Sequence, residues 1–186
     1  NLYSREIPIG PTAQVNRANP FQIRAMDRAD IRNYRRWHRD AAVRARKAGF
    51  DIIYVYAGHD LGLPMHFLQK RRNQRIDEYG GSLENRARLF RELIEDTKSV
   101  VGDTCAVAVR FAVDEMMGDE GITSTGEGRD VVAMLAELPD LWDVNLSAWP
   151  NDSQTSRFSE EGFQEPFTAF VKTLTTKPVV GVGRYT

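Results

Sequence analysis

Four clusters of reactive side chains each follow a short apolar run: Tyr56-Ala57-Gly58-His59-Asp60, Arg110 with Asp114 and Glu115, Trp149-Pro150-Asn151-Asp152, and Gly181-Val182-Gly183-Arg184. A phenol and an imidazole three residues apart could exchange a proton near neutral pH; the plainer reading is a half-buried scaffold tyrosine beside a satisfied polar histidine. The face of Trp149 could attract an alkylammonium ion or a developing positive charge, or simply anchor its loop on Pro150. Two glycines let backbone N–H groups approach an anion, to which Arg184 adds a fork-shaped charged donor; the same residues could be no more than a strand-ending turn. Arg110 is costly to bury alone, so it should meet either a bound anion or a nearby carboxylate, Asp114 or Glu115. No metal-ligand spacing is present.

The elements that hold these clusters follow from periodicity. Residues 1–26 read as an irregular approach loop. Asp27 fits an N-cap with Asp30 as a partial capping box, ahead of a helix with a stripe of Ile31, Tyr34, Trp37, Ala41, Ala42, Ala45 and Ala48 ending at Gly49. A strand over 50–56 and a loop over 57–81 come next. Then a helix over 82–101, a strand over 106–111, a loop over 112–126, a helix over 127–138 stopped by Pro139, a strand over 142–146, a loop over 147–165, a helix from Pro166 to Leu174 and a strand over 178–182 are expected. The strands look apolar throughout, which predicts a parallel sheet buried by helices. Reactive residues at four successive strand ends favour a (β/α)8 barrel, whose active site lies at that face, over a doubly wound sheet with one switch point. A barrel needs eight strands, so four predict part of one: roughly strands 4 to 7, with the first three and the last absent.

Composition narrows the classes. A hydrophobic content of 41% and a net charge of -1 describe an ordinary globular chain with no general attraction to nucleic acid or membrane. No run approaches the length of a membrane span and no signal peptide appears, so a cytoplasmic location is expected. Six arginines between 32 and 46 read as a solvated helix face, with His38 solvated among them and His66 packing beside the His59 loop. The single Cys105 reads as a buried core residue.

The most distinctive wording is Asn73-Gln-Arg-Ile-Asp-Glu-Tyr-Gly-Gly-Ser-Leu-Glu-Asn-Arg-Ala-Arg88. Physically it is a charged loop, a tight Gly80-Gly81 turn, and Ser82 as the N-cap of an amphipathic helix. In this order it resembles the signature of the Old Yellow Enzyme family of FMN-dependent oxidoreductases. Tyr56 and His59 depart from the pair usual in alkene reductases of that family, and with Trp149 and Asp152 they resemble the trimethylamine and dimethylamine dehydrogenase branch. The resemblance implies a Tyr56-His59-Asp152 catalytic arrangement, Trp149 in an aromatic bowl around a substrate nitrogen, Arg110 beside the flavin's pyrimidine edge, and Gly183 with Arg184 at the FMN phosphate. It implies oxidation of a small methylated amine, such as a dimethylglycine-like one, by hydride transfer to flavin, with water then releasing an aldehyde and a shorter amine. Electrons would pass through a [4Fe-4S] cluster bound beyond the barrel to an electron-transfer flavoprotein, and a homo-oligomer is compatible. The alternatives are an NAD(P)H-dependent alkene or 2,4-dienoyl reductase of the same fold, and an inert barrel fragment.

Overall fold

The computed structural model describes residues 6–15 and 22–185; the remaining parts of the expected approach loop lie outside them. Within that segment three short strands pair into a small sheet: β1 (Ile9–Gly10), β2 (Gln14–Val15) and β3 (Gln22–Ala25) in the order β1-β3-β2. The sequence suggested irregular chain here, because strands this short carry no readable alternation.

Helix α1 (Arg28–Lys47) starts as expected. Asp27 accepts from the Asp30 backbone N–H, and the Asp30 carboxylate accepts from the Asp27 N–H, closing a reciprocal cap. Its apolar stripe is narrower than expected: Ile31 and Ala42 are buried, while Trp37, Ala41 and Ala48 face solvent. The arginines do much of the packing instead. Arg35 and Arg39 reach Asp96, Arg35 also reaches Glu92, and Arg46 donates to the Val100 carbonyl, all on α3 (Leu83–Val101). His38 is correspondingly half-buried between the two helices, 3.3 Å from the Thr97 hydroxyl, rather than solvated.

The main sheet contains β4 (Ile52–Ala57), β5 (Ala106–Asp114), β6 (Leu141–Leu146) and β7 (Val179–Gly181), all parallel and in sequential order. Every crossover steps the same way, so there is no switch point; the sheet is an arc of a (β/α)8 barrel, not a doubly wound sheet. The outer face carries Ile53, Val55, Val107, Val109, Phe111, Trp142 and Val144, packed under α3 and α4 (Glu127–Leu135) with Leu89, Phe90, Leu93, Val131 and Leu135.

The strands are not apolar on both faces. Register aligns Tyr56, Arg110, Asp143 and Val180 in one row across the inner face, with Asn145 opposite Ala112 one step nearer the C-terminal ends. The loop expected over 57–81 contains helix α2 (Leu63–Leu68), and the last expected helix divides into α5 (Glu165–Thr168) and α6 (Phe170–Leu174). The segment following Trp149 forms a 3-10 turn and then one π turn over Gln154–Phe158; such turns occur often beside functional sites.

The 73–88 motif is a structural clasp. Asn73 donates to the carbonyls of Phe67 and Tyr79, and Arg75 pairs with Asp77 while donating to the carbonyls of Pro11 and Met26. Gly80 is required for close approach, since a Cβ there would lie 2.1 Å from the Arg75 carbonyl oxygen. Ser82 caps α3 as expected, accepting from the Asn85 N–H. Arg86, almost fully buried, makes a two-pronged ion pair with Glu127 on α4 and donates to the Leu68 and Gly81 carbonyls. The motif thus ties the approach segment, α2, α3 and α4 into one frame behind the strand ends.

Candidate active site

Tyr56 lies on the inner face near the end of β4, and three residues later the backbone reverses. His59 and Asp60 both have φ of +55° and Ser147, after β6, has +77°. Non-glycine residues in this region cost about 1–3 kcal/mol each and cluster at functional sites. The two reversals lock together: His59 bridges Ala148, and the Trp149 N–H donates to the His59 carbonyl at 2.9 Å. The loop after β4 is thereby fixed against the loop after β6.

That junction assembles the proton pair. The Tyr56 hydroxyl is 2.5 Å from His59 Nδ1, and His59 Nε2 is 3.0 Å from an Asp152 carboxylate oxygen. A carboxylate facing Nε2 selects the tautomer with its proton on that nitrogen, leaving Nδ1 as the acceptor of the Tyr56 O–H. Burial pushes the Tyr56 phenol up and the His59 imidazole down from their ordinary values, with Asp152 partly offsetting the effect on His59. Between those limits the resting state is neutral tyrosine and neutral histidine. Trp149 stands edge-on to His59 with centroids 6.2 Å apart and is 61% exposed, so its ring is open to a ligand and is not buried against Pro150.

Arg110 does not pair with Asp114 or Glu115. Its partner is Asp143, the neighbour across β6, at 3.0 Å. Asp114 instead accepts from the backbone N–H groups of Met116 and Ser124, and the buried Glu115 is held by Arg71, Gln69 and the Ile122 N–H. These contacts consume the carboxylates nearest in sequence and leave the cross-strand one. Asp60 belongs to the same scaffold through Arg71, Arg72 and Gln69, and His66 donates to its carbonyl.

At the far end of the arc, Gly183 has φ of +94°, and a Cβ there would come 3.0 Å from the Gln164 amide nitrogen. Arg184 donates to the Ser159 carbonyl at 2.8 Å. The structure thus brings Tyr56, His59, Trp149 and Asp152 together, sets Arg110 in the same inner row as Tyr56, and leaves Gly183 and Arg184 after β7, three strands from Tyr56. Sequence reasoning missed Asp143 and Asn145. Both alternate with Trp142, Val144 and Leu146, a period-two signal visible in Leu-Trp-Asp-Val-Asn-Leu.

The NADH:flavin oxidoreductase / NADH oxidase family matches residues 4–186. Dimethylamine dehydrogenase from Hyphomicrobium sp. (strain x) is 41% identical over 149 residues, covering 78% of this chain and 20% of that protein. The solved 6-hydroxypseudooxynicotine amine oxidase from Pseudomonas geniculata N1 superposes with a TM-score of 0.93 at 56% identity, covering 99% of this chain and 28% of that one. Histamine dehydrogenase from Rhizobium sp. 4-9 does so with a TM-score of 0.90 at 48% identity, covering 98% and 27%. The chain belongs to the NADH:flavin oxidoreductase family of FMN-dependent enzymes, and its similarity lies with the amine dehydrogenases in it. It spans between a fifth and under a third of the length of these relatives.

Proposed function

We propose that the protein of which these residues form part is an FMN-dependent amine dehydrogenase that oxidises a small amine at the carbon beside nitrogen. The observation that carries this reading is the line Tyr56–His59–Asp152 closed by the exposed ring of Trp149. An amine gives up hydride only with its nitrogen lone pair free, so a bound alkylammonium must first lose a proton. Tyr56 and His59 supply the route: the Tyr56 oxygen takes the substrate proton as its own passes to His59 Nδ1, and Asp152 stabilises the imidazolium that results. Trp149 offers its face to the cationic substrate and its transient charge.

The inner face suits a flavin in two respects. Arg110 makes one contact to Asp143 and keeps further donors on a partly exposed guanidinium, and the buried Oδ1 of Asp143 has no partner. We assign Arg110 to the flavin ring and Gly183 with Arg184 to its phosphate, the latter requiring Arg184 to leave the Ser159 carbonyl. When bound, FMN supplies the hydride acceptor. A [4Fe-4S] cluster needs four thiolates, and Cys105 is buried against the Phe50 carbonyl; a cluster, and an electron-transfer flavoprotein beyond it, would use other parts of the protein. A methylated amine such as dimethylamine or dimethylglycine remains our substrate choice, in a cytoplasmic enzyme.

The test is anaerobic addition of dimethylamine, dimethylglycine, histamine and NADH to the full-length FMN-loaded protein. Bleaching of the flavin by one of the amines is expected. Bleaching by NADH and by none of the amines would replace this reading with an alkene or dienoyl reductase.

A further inference from the structure

The Asn145 side chain is 1% exposed, and its amide lies 2.6 Å from His59 Nε2, the nitrogen that also faces Asp152. As placed, Asn145 turns its NH2 toward that nitrogen, while its own Oδ1 is buried without a partner. Two faults coincide here. A nitrogen that donates its proton to Asp152 cannot also accept from an amide N–H, and a buried carbonyl oxygen without a donor costs about 1–3 kcal/mol. Amide oxygen and nitrogen are distinguished by the surrounding hydrogen bonds rather than by shape. Turning the amide over removes the first: Oδ1 then accepts from Nε2–H, at the loss of a 3.2 Å contact from Nδ2 to the Leu146 carbonyl, while the NH2 turns to the inner-face position where Oδ1 stood without a protein partner. Ala112 opposite Asn145 leaves the inner face low at this point.

We propose that Asn145 is a positioning residue for His59. Its Oδ1 shares the Nε2 proton with Asp152, so that the ring is held in one plane and Nδ1 is kept bare to receive the Tyr56 proton. Asp152 sits on a loop beyond β6 and is about a quarter exposed, whereas Asn145 is fixed within β6 itself. A strand-borne acceptor holds the ring more rigidly than a loop-borne one alone. The groups facing His59 are then Tyr56 from β4, Arg110 from β5, Asp143 and Asn145 from β6, and Asp152 from the following loop.

The proposal rests on the amine-oxidation reading only for its kinetic consequence, and its primary test does not use the reaction. In full-length FMN-loaded protein carrying 15N-labelled histidine, the His59 resonances are assigned by their loss in His59→Gln and titrated with pH. An accepting oxygen stabilises the imidazolium, so Asn145→Ala should lower the His59 midpoint, and Asn145→Asp should raise it by about one unit. An upward shift or no shift in Asn145→Ala overturns the proposal, because it means that the amide donated to Nε2 or did nothing. FMN retention certifies folding, and Asn145→Ser replaces the alanine variant if that one fails to load. If an amine reduces the flavin, the acid limb of the rate should move with the same sign in each variant. If none does, the functional reading fails while the titration still decides the role of Asn145.

Discussion

At the residue scale, the proposed function depends on keeping an imidazole neutral between a phenol and a carboxylate. Asp152 favours the protonated ring, so Asp152→Asn should move the acid limb of amine-driven flavin reduction to lower pH and lower the plateau rate, as a stopped-flow pH series would show. Histidines also set the acid stability. Burial is the first cause lowering His38, His59 and His66 below their ordinary 6.5. The unfolded chain therefore binds more protons than the folded one as pH falls through about 6.5, and stability drops there, before the lowered carboxylates such as Asp60 and Glu127 begin to titrate. Thermal melts at pH 7.5 and 5.5 should show a lower midpoint at 5.5, and replacing His38 by Gln should shrink the difference. Tyr56 and His59 were legible because they are three residues apart. Asn145 was not, because its partner lies 86 residues away across two strands.

At the element scale, buried ion pairs orient the strand ends. Arg86 is the clearest case: it lies within the most recognisable stretch of sequence, yet its role is to tie α3 to α2 and α4. Glu127 would keep Lys70, but the Leu68 and Gly81 carbonyls would lose their donor, so Arg86→Met should destabilise the full-length protein more than an exposed change such as Arg36→Met, by about 1–3 kcal/mol in urea unfolding. Equal midpoints would show that the clasp is dispensable. The long helices and the strand order were readable because amphipathic periodicity and caps are local signals. The six-residue α2, which begins at Leu63-Pro64 without a side-chain cap, and the π turn after Asp152 have no such signal. α2 is set by packing its buried side chains on α3 and β4, and the π turn by contacts such as Thr155 to the Ser147 hydroxyl. The same reason explains α1, whose arginines read as solvent-facing until α3 supplied Asp96 and Glu92.

At the scale of the whole molecule, the four parallel strands put one reactive row on the inner face and the apolar row beneath the helices. Reading β4, β5 and β6 as uniformly apolar suggested burial on both sides; the alternation of Asp143 and Asn145 with Trp142, Val144 and Leu146 shows an inner surface that carries polar groups. Among the described residues no helix is long and apolar enough to cross a membrane, and no cluster of His, Cys, Asp and Glu could hold a metal ion. On the proposed reading, the chemistry of this surface is proton transfer beside a bound cofactor, with Tyr56 and His59 as the proton path. The direct measurement is the rate of anaerobic flavin reduction by the best amine substrate across pH 5 to 9, in wild-type and His59→Gln full-length enzyme. The wild type should show an acid limb below 6.5, and His59→Gln should lose that limb along with about 100-fold or more of the rate. An unchanged rate with the same acid limb in His59→Gln would contradict the account.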